Sequence, residues 1–172
     1  AEIPYEVIFD DEIMDSKLTD YDWLHLHHED FTGQYGKFYK HYRNQPWYID
    51  QQRAFEASAH IHGCGKVSHL KREIVQRIAG FVANGGFLFA MCSATDTYDI
   101  ALAAQKTDIC DRMFDGDGPS RNANNELDFN ETFAFKNFKV RMNPYVYEYS
   151  DIDSRPNDIP NRTFNELLST RK

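Results

Sequence analysis

The stretch Gly85-Gly86-Phe87-Leu88-Phe89-Ala90-Met91-Cys92-Ser93-Ala94-Thr95-Asp96-Thr97-Tyr98 decides the fold class. Its apolar run, Phe87 to Met91, rises from a Gly-Gly turn and stops at a cysteine. A short continuous apolar run of this kind predicts a strand buried on both faces, as in a parallel sheet. Just upstream, Leu70, Ile74, Val75, Ile78, Phe81 and Val82 recur at helical spacing behind Ser68, a residue suited to the N-cap. Asn84-Gly85-Gly86 ends that helix, because glycine takes the left-handed backbone of a helix C-terminus at little cost. Downstream, Thr97 to Ala104 predicts the next helix.

Working outward, residues 5–9 (YEVIF) are β-rich and end at Asp10-Asp11, a turn or helix-start signal, so a strand and a short polar helix over 11–18 are expected. Tyr21 to His28 (YDWLHLHH) predicts a second strand. Residues 29–50 carry two glycines, a proline and many aromatics and read as a long loop with one helical turn. A helix over 47–61 follows, broken at Gly63-Cys64-Gly65. Strand, loop, helix, strand, helix is the order of an α/β domain with a parallel sheet and right-handed crossovers. The C-terminal third differs, with short aromatic strands expected at 133–135, 138–142 and 145–149 between Asn- and Asp-rich loops.

Length and charge bound the function classes. At 172 residues the chain predicts one domain, 1–172, able to bury about 70% of its unfolded surface. Nineteen basic against 27 acidic residues, a net charge of −8, exclude a nucleic-acid binder, which needs a basic face. No apolar run approaches the roughly 18 residues of a bilayer span, so a soluble protein is expected. The start has no Met, and Ala1 to Asp10 reads as a helix end running into a strand. We therefore expect a piece of a longer polypeptide, lacking elements before residue 1 and after residue 172, with the remainder of that polypeptide as a partner.

In open α/β sheets, ligands lie beyond the carboxyl ends of the strands. Two segments fall there: His27-His28-Glu29-Asp30 after the second strand and Cys92-Ser93-Ala94 after the third. One reading of Cys92 is a nucleophile on a strand-to-helix elbow, where the positive end of a helix favours negative charge on sulfur and small neighbours leave room for a carbonyl. The other is a small buried core residue. A cysteine nucleophile needs a base, and all seven histidines precede Cys92, which leaves His27, His28 and Glu29 as the candidates within this chain. His25 and His27 share one strand face and could bind zinc, but a polar strand end with hydrogen-bonded histidines is the preferred reading, and neither metal nor cofactor is expected. Asp115-Gly116-Asp117-Gly118 starts like a calcium loop, yet Pro119 occupies a ligand position, so it reads as a turn.

These residues carry a resemblance. KREIVQRIAGFVANGG, FLFAM and CSA resemble the class I glutamine amidotransferase-like superfamily, in which a helix and Gly-Gly turn feed the strand bearing the nucleophilic cysteine. The outline is also similar to that superfamily's trehalose-utilisation-like branch, whose members often lack the catalytic triad. YDWLHLHHEDFTGQYGKFY with GGFLFAMCSATDTYDIALAA resembles, over most of the chain, a group of exported bacterial proteins labelled asparagine synthetase B. The resemblance implies a flavodoxin-like three-layer sandwich and an amidohydrolase or amidotransferase-like activity, with Cys92 at the nucleophile position. It further implies oxyanion amides from the elbow at Ser93 and from the loop bearing Gly33, and an exported or periplasmic location. The superfamily's His-x-Glu pair has no counterpart after Cys92 in these residues. A non-catalytic module holding a small molecule, a carbohydrate or a protein through Trp23, Trp47 and the tyrosine-rich loops is the alternative.

Overall fold

The computed structural model describes residues 3–153; the ends of the single domain expected over 1–172 lie outside the described residues. The described chain runs α1 (Asp10–Met14), β1 (Trp23–His27), α2 (Tyr39–Tyr42), α3 (Pro46–Ile61), α4 (Val67–Ala83), β2 (Phe87–Met91), α5 (Ser93–Ala103) and α6 (Arg112–Asp115), with short 3-10 turns between. It is a mixed α/β structure in which β1 and β2 pair in parallel, Trp23 opposite Phe87 through to His27 opposite Met91. A parallel pair requires a crossover, and α2, α3 and α4 supply it. No described helix is long and apolar enough to cross a membrane.

The step from α4 into β2 follows from its glycines. Gly85, at φ 101°, donates its amide to the Val82 carbonyl, and Gly86 donates to Phe81, both at 3.0 Å. This pair of bonds is the Schellman closure of a helix C-terminus. The next amide, Phe87, already donates to the Asp22 carbonyl at 2.8 Å and opens the sheet. The α4 stripe is buried as its period requires, with Leu70, Ile74, Val75 and Ile78 fully inaccessible. Leu24 and Leu26 of β1 join them, and Leu88 and Ala90 of β2 pack against the same core.

Several expectations are corrected. Lys66, not Ser68, is the N-cap of α4; Ser68 is buried within the first turn. β2 is covered on one face only: among the described residues, helices pack on the Leu88 and Ala90 side, while Phe87, Phe89 and Met91 stay exposed with Trp23. Residues 5–9 join no strand, because the Glu6 carboxylate is drawn to Lys17 and Tyr21 and a cleft of about 910 Å³ runs between this segment and β1. The helix expected from Thr97 begins at Ser93, immediately after the cysteine.

Among the described residues of the C-terminal third, one isolated antiparallel bridge, Val140 with Ser150, stands in place of the three expected strands. Side chains there hold the backbone groups that a ladder would use. The Asp99 carboxylate of α5 accepts the amides of Phe133, Ala134 and Phe135, each at 2.7 Å. Asn124 accepts from the Val140 amide at 2.7 Å and donates to its carbonyl at 3.2 Å. Ile100, Ala103 and Ala104 of α5 pack with Ile109, Phe138 and Tyr149 into a second apolar cluster. α5 thus lies between two cores and is held from both sides.

Candidate active site

Strand β2 delivers Cys92 to the mouth of α5, whose N-cap it forms. Its backbone lies at φ 54°, ψ −134°, a region that residues with a Cβ rarely occupy. The Thr95 amide donates to the Cys92 carbonyl at 3.0 Å, so the helix begins without an intervening loop. Cys92 is exposed, whereas Cys64 is half-buried and Cys110 is buried. Burial pushes the Cys64 thiol up and the Cys110 thiol well above its ordinary range; Cys110 donates its S–H to the Thr32 carbonyl at 3.3 Å. Ser93 occupies the first helical turn, where backbone amides have no intrahelical acceptor. The Ser93 and Ala94 amides and the positive end of an 11-residue helix thus directly follow Cys92, while the Thr95 amide is taken by the Cys92 carbonyl.

The register brings the second segment to the same edge. His27 is opposite Met91, so His28 and Glu29 leave β1 beside the point where Cys92 leaves β2. Thr97 of α5 ties the two segments: its hydroxyl lies 2.8 Å from both the Glu29 carbonyl and the Ser93 carbonyl, which share its one proton. The His27 and His28 rings are exposed with centroids 3.9 Å apart, and His28 has φ 64°. Glu29 is half-buried; burial raises its carboxyl above the usual range, and its Oε2 has no hydrogen-bond partner. Among the described residues no imidazole is hydrogen-bonded to Cys92. His28, Glu29 and Gly33 line the 910 Å³ cleft, and Cys92 lies outside it.

Gly33 meets the start of α4. At φ 81°, a Cβ built on it would stand 2.8 Å from the Ser68 Cα, so the loop passes helix backbone at a distance only glycine permits. Asp30 shapes that loop: its carboxylate accepts the Thr32 amide at 2.7 Å, the Thr32 hydroxyl at 2.6 Å and the Gly36 amide at 2.7 Å. Asp30, which the sequence places in the segment beyond the second strand, is thereby a loop-shaping residue, and two further acidic residues, Asp99 and Asp96, have no signal in the sequence. Asp-x-Thr at 30–32 is an Asx-turn pattern that signals the role of Asp30. Asp96, one turn into α5, is only 2% exposed, and neither carboxyl oxygen has a well-formed hydrogen bond. Burial first, and the nearby Asp153 second, push its carboxyl up to about 8.

A second acidic cluster closes on itself. The ligand atoms of Asp108, Cys110 and Asp115 lie within 4.8 Å of one another. The Lys66 ammonium already supplies a cation there, 2.9 Å from Asp108 and 3.1 Å from Asp115, and paired also with Asp117. Gly116, at φ 91°, caps α6 within this loop, which is a turn as expected. Comparison with known proteins gives no match to any family model, to any curated protein or to any solved structure, so the chemistry at Cys92 carries the functional reading.

Proposed function

We propose that the chain is the nucleophile-bearing part of a flavodoxin-like, three-layer domain that acts on a carboxamide, as an amidohydrolase or a glutamine amidotransferase-like enzyme. The observation that carries this reading is the backbone of Cys92: an exposed thiol at φ 54°, ψ −134° on a strand-to-helix elbow. Strain of this kind persists where surrounding structure imposes it, and it clusters at reacting groups. In the reaction the thiol proton passes to an imidazole, for which His27 and His28 stand at the same sheet edge. The sulfur then adds to the carbonyl carbon, and amides of the first turn of α5, including that of Ser93, stabilise the oxyanion. The imidazolium returns the proton to the departing nitrogen, leaving a thioester that water cleaves. Glu29, with its carboxyl raised by burial, follows His28 in the chain at the same sheet edge.

The test is iodoacetamide labelling of the folded protein, followed by peptide mapping. Cys92 is expected to label at least about tenfold faster than Cys64 or Cys110, whose thiols burial holds in the protonated form. Labelling of Cys92 at the rate of a free peptide thiol, or slower, would sink the proposal. The Trp23–Phe87 edge-to-face pair on the exposed sheet face, centroids 5.3 Å apart, favours a second reading, a carbohydrate- or protein-binding module. On that reading Cys92→Ala keeps ligand-induced changes in tryptophan emission and Trp23→Ala abolishes them.

A further inference from the structure

We propose that the outer face of the β1–β2 sheet holds a Cu(I) site built from His25, Met91 and His27. His25 and His27 project from one face of β1, and Met91 stands opposite His27 on β2, on that same face. Their exposure leaves room for an ion: all three side chains reach solvent, on the side that no described helix covers. The His25 Nε2 lies 3.3 Å from the Met91 Sδ. An ion bound at about 2.0 Å from an imidazole nitrogen and about 2.3 Å from sulfur holds those atoms roughly 3.3–3.6 Å apart when the angle at the metal is near tetrahedral. The observed separation, which in the metal-free protein also suits an N–H···S hydrogen bond, falls at the short end of that range. The His25 and His27 ring centroids are 6.4 Å apart, within the reach of a rotamer adjustment at two exposed positions.

The donor set selects the metal. A thioether is soft and uncharged, and with imidazoles it suits Cu(I) while offering little to magnesium, calcium or manganese. Binding requires no deprotonation beyond neutral imidazole, so no thiol or carboxylate has to be recruited. The Phe89 ring, 5.2 Å from that of His25, covers one side of the site with apolar surface. The site shares His27 with the proposed thiol chemistry: an ion held there would block that imidazole from acting as a base and leave the role to His28.

Cu(I) titration of a Cys92→Ser protein against a chromogenic Cu(I) chelator tests the site without the exposed thiol. One ion per chain is expected, with Met91→Leu and His25→Gln in the same background each weakening retention by more than about tenfold. X-ray absorption of the loaded Cys92→Ser protein should show a sulfur scatterer that Met91→Leu removes. Loss of Cu(I) binding on Cys92→Ser alone, unchanged retention in Met91→Leu, or an absorption spectrum without a sulfur neighbour each overturns the proposal. None of these outcomes bears on iodoacetamide labelling of Cys92, so the two readings fail separately.

Discussion

At Cys92 a side chain occupies a backbone conformation that suits glycine, and the energetic consequence is measurable. Relief of that strain is worth about 1–3 kcal/mol, while glycine costs about 0.5–1 kcal/mol through the greater freedom it gives the unfolded chain. Strain relief outweighs the entropic cost, so Cys92→Gly is expected to raise the midpoint of thermal unfolding as it abolishes labelling at this position. A lower midpoint would mean that the elbow is relaxed around its Cβ. Asp96 makes the converse case, a buried polar group without good partners. Its folded-state pKa of about 8 stands above the ordinary value of 3.8, so the folded protein keeps a proton that the unfolded chain has released. Stability from this group is complete below about pH 4 and is lost as pH rises towards 8. Asp96→Asn, which mimics the protonated form, should therefore add a few kcal/mol at pH 8 and almost nothing at pH 4. Urea unfolding at the two pH values checks this, and an equal effect at both would show that the carboxyl is ionised throughout.

Among the elements, α4 and β2 are legible in the sequence because their information is local: a 3.6-residue apolar stripe, a Gly-Gly closure and a five-residue apolar run each carry a period or a backbone requirement. The convergence of the HHED and CSA segments follows from the same two strands. What the sequence hides depends on distant partners. YEVIF has strand composition but finds no ladder, and the aromatic runs at 133–149 are held by side chains from α5 and the 3-10 turn at Ala123–Asn125. The sequence predicts a helix after Cys92 but starts it at Thr97, since Ser-Ala-Thr-Asp reads equally as a capping loop. Gly33 is the element-scale test of the loop. Alanine there must clear the α4 backbone at 2.8 Å and adopt φ 81°, and should cost roughly 1–3 kcal/mol in urea unfolding. Gly65→Ala, with open space and no left-handed requirement, should cost much less. Equal costs would remove the packing role assigned to Gly33.

At the scale of the whole molecule, the irregular segment over 126–153 is fastened to the first half by Lys37. This side chain is 2% exposed and donates its Nζ to the Arg141 carbonyl at 2.6 Å and to the Asn143 carbonyl at 3.1 Å, across more than a hundred residues of sequence. No sequence pattern predicts such a contact, because a lysine in a loop ordinarily reads as a solvated charge. Burial lowers its pKa to about 8, against which Asp30 and Glu148 pull upward and Arg141 downward. The sign of the linkage follows. Between about pH 8 and 10.5 the unfolded chain holds a proton on Lys37 that the folded protein has released, so its contribution to stability rises with pH across that window. Cys110 and the buried tyrosines oppose it in the wild-type profile, but their titrations cancel when wild type is compared with Lys37→Met. The difference in unfolding free energy, wild type minus variant, should grow by up to about 1.4 kcal/mol per pH unit between pH 8 and 10 and stay level between pH 6 and 7. A difference that is flat throughout would place the Lys37 ammonium in contact with water, and the tie to residues 141–143 would then be a surface contact rather than a buried one.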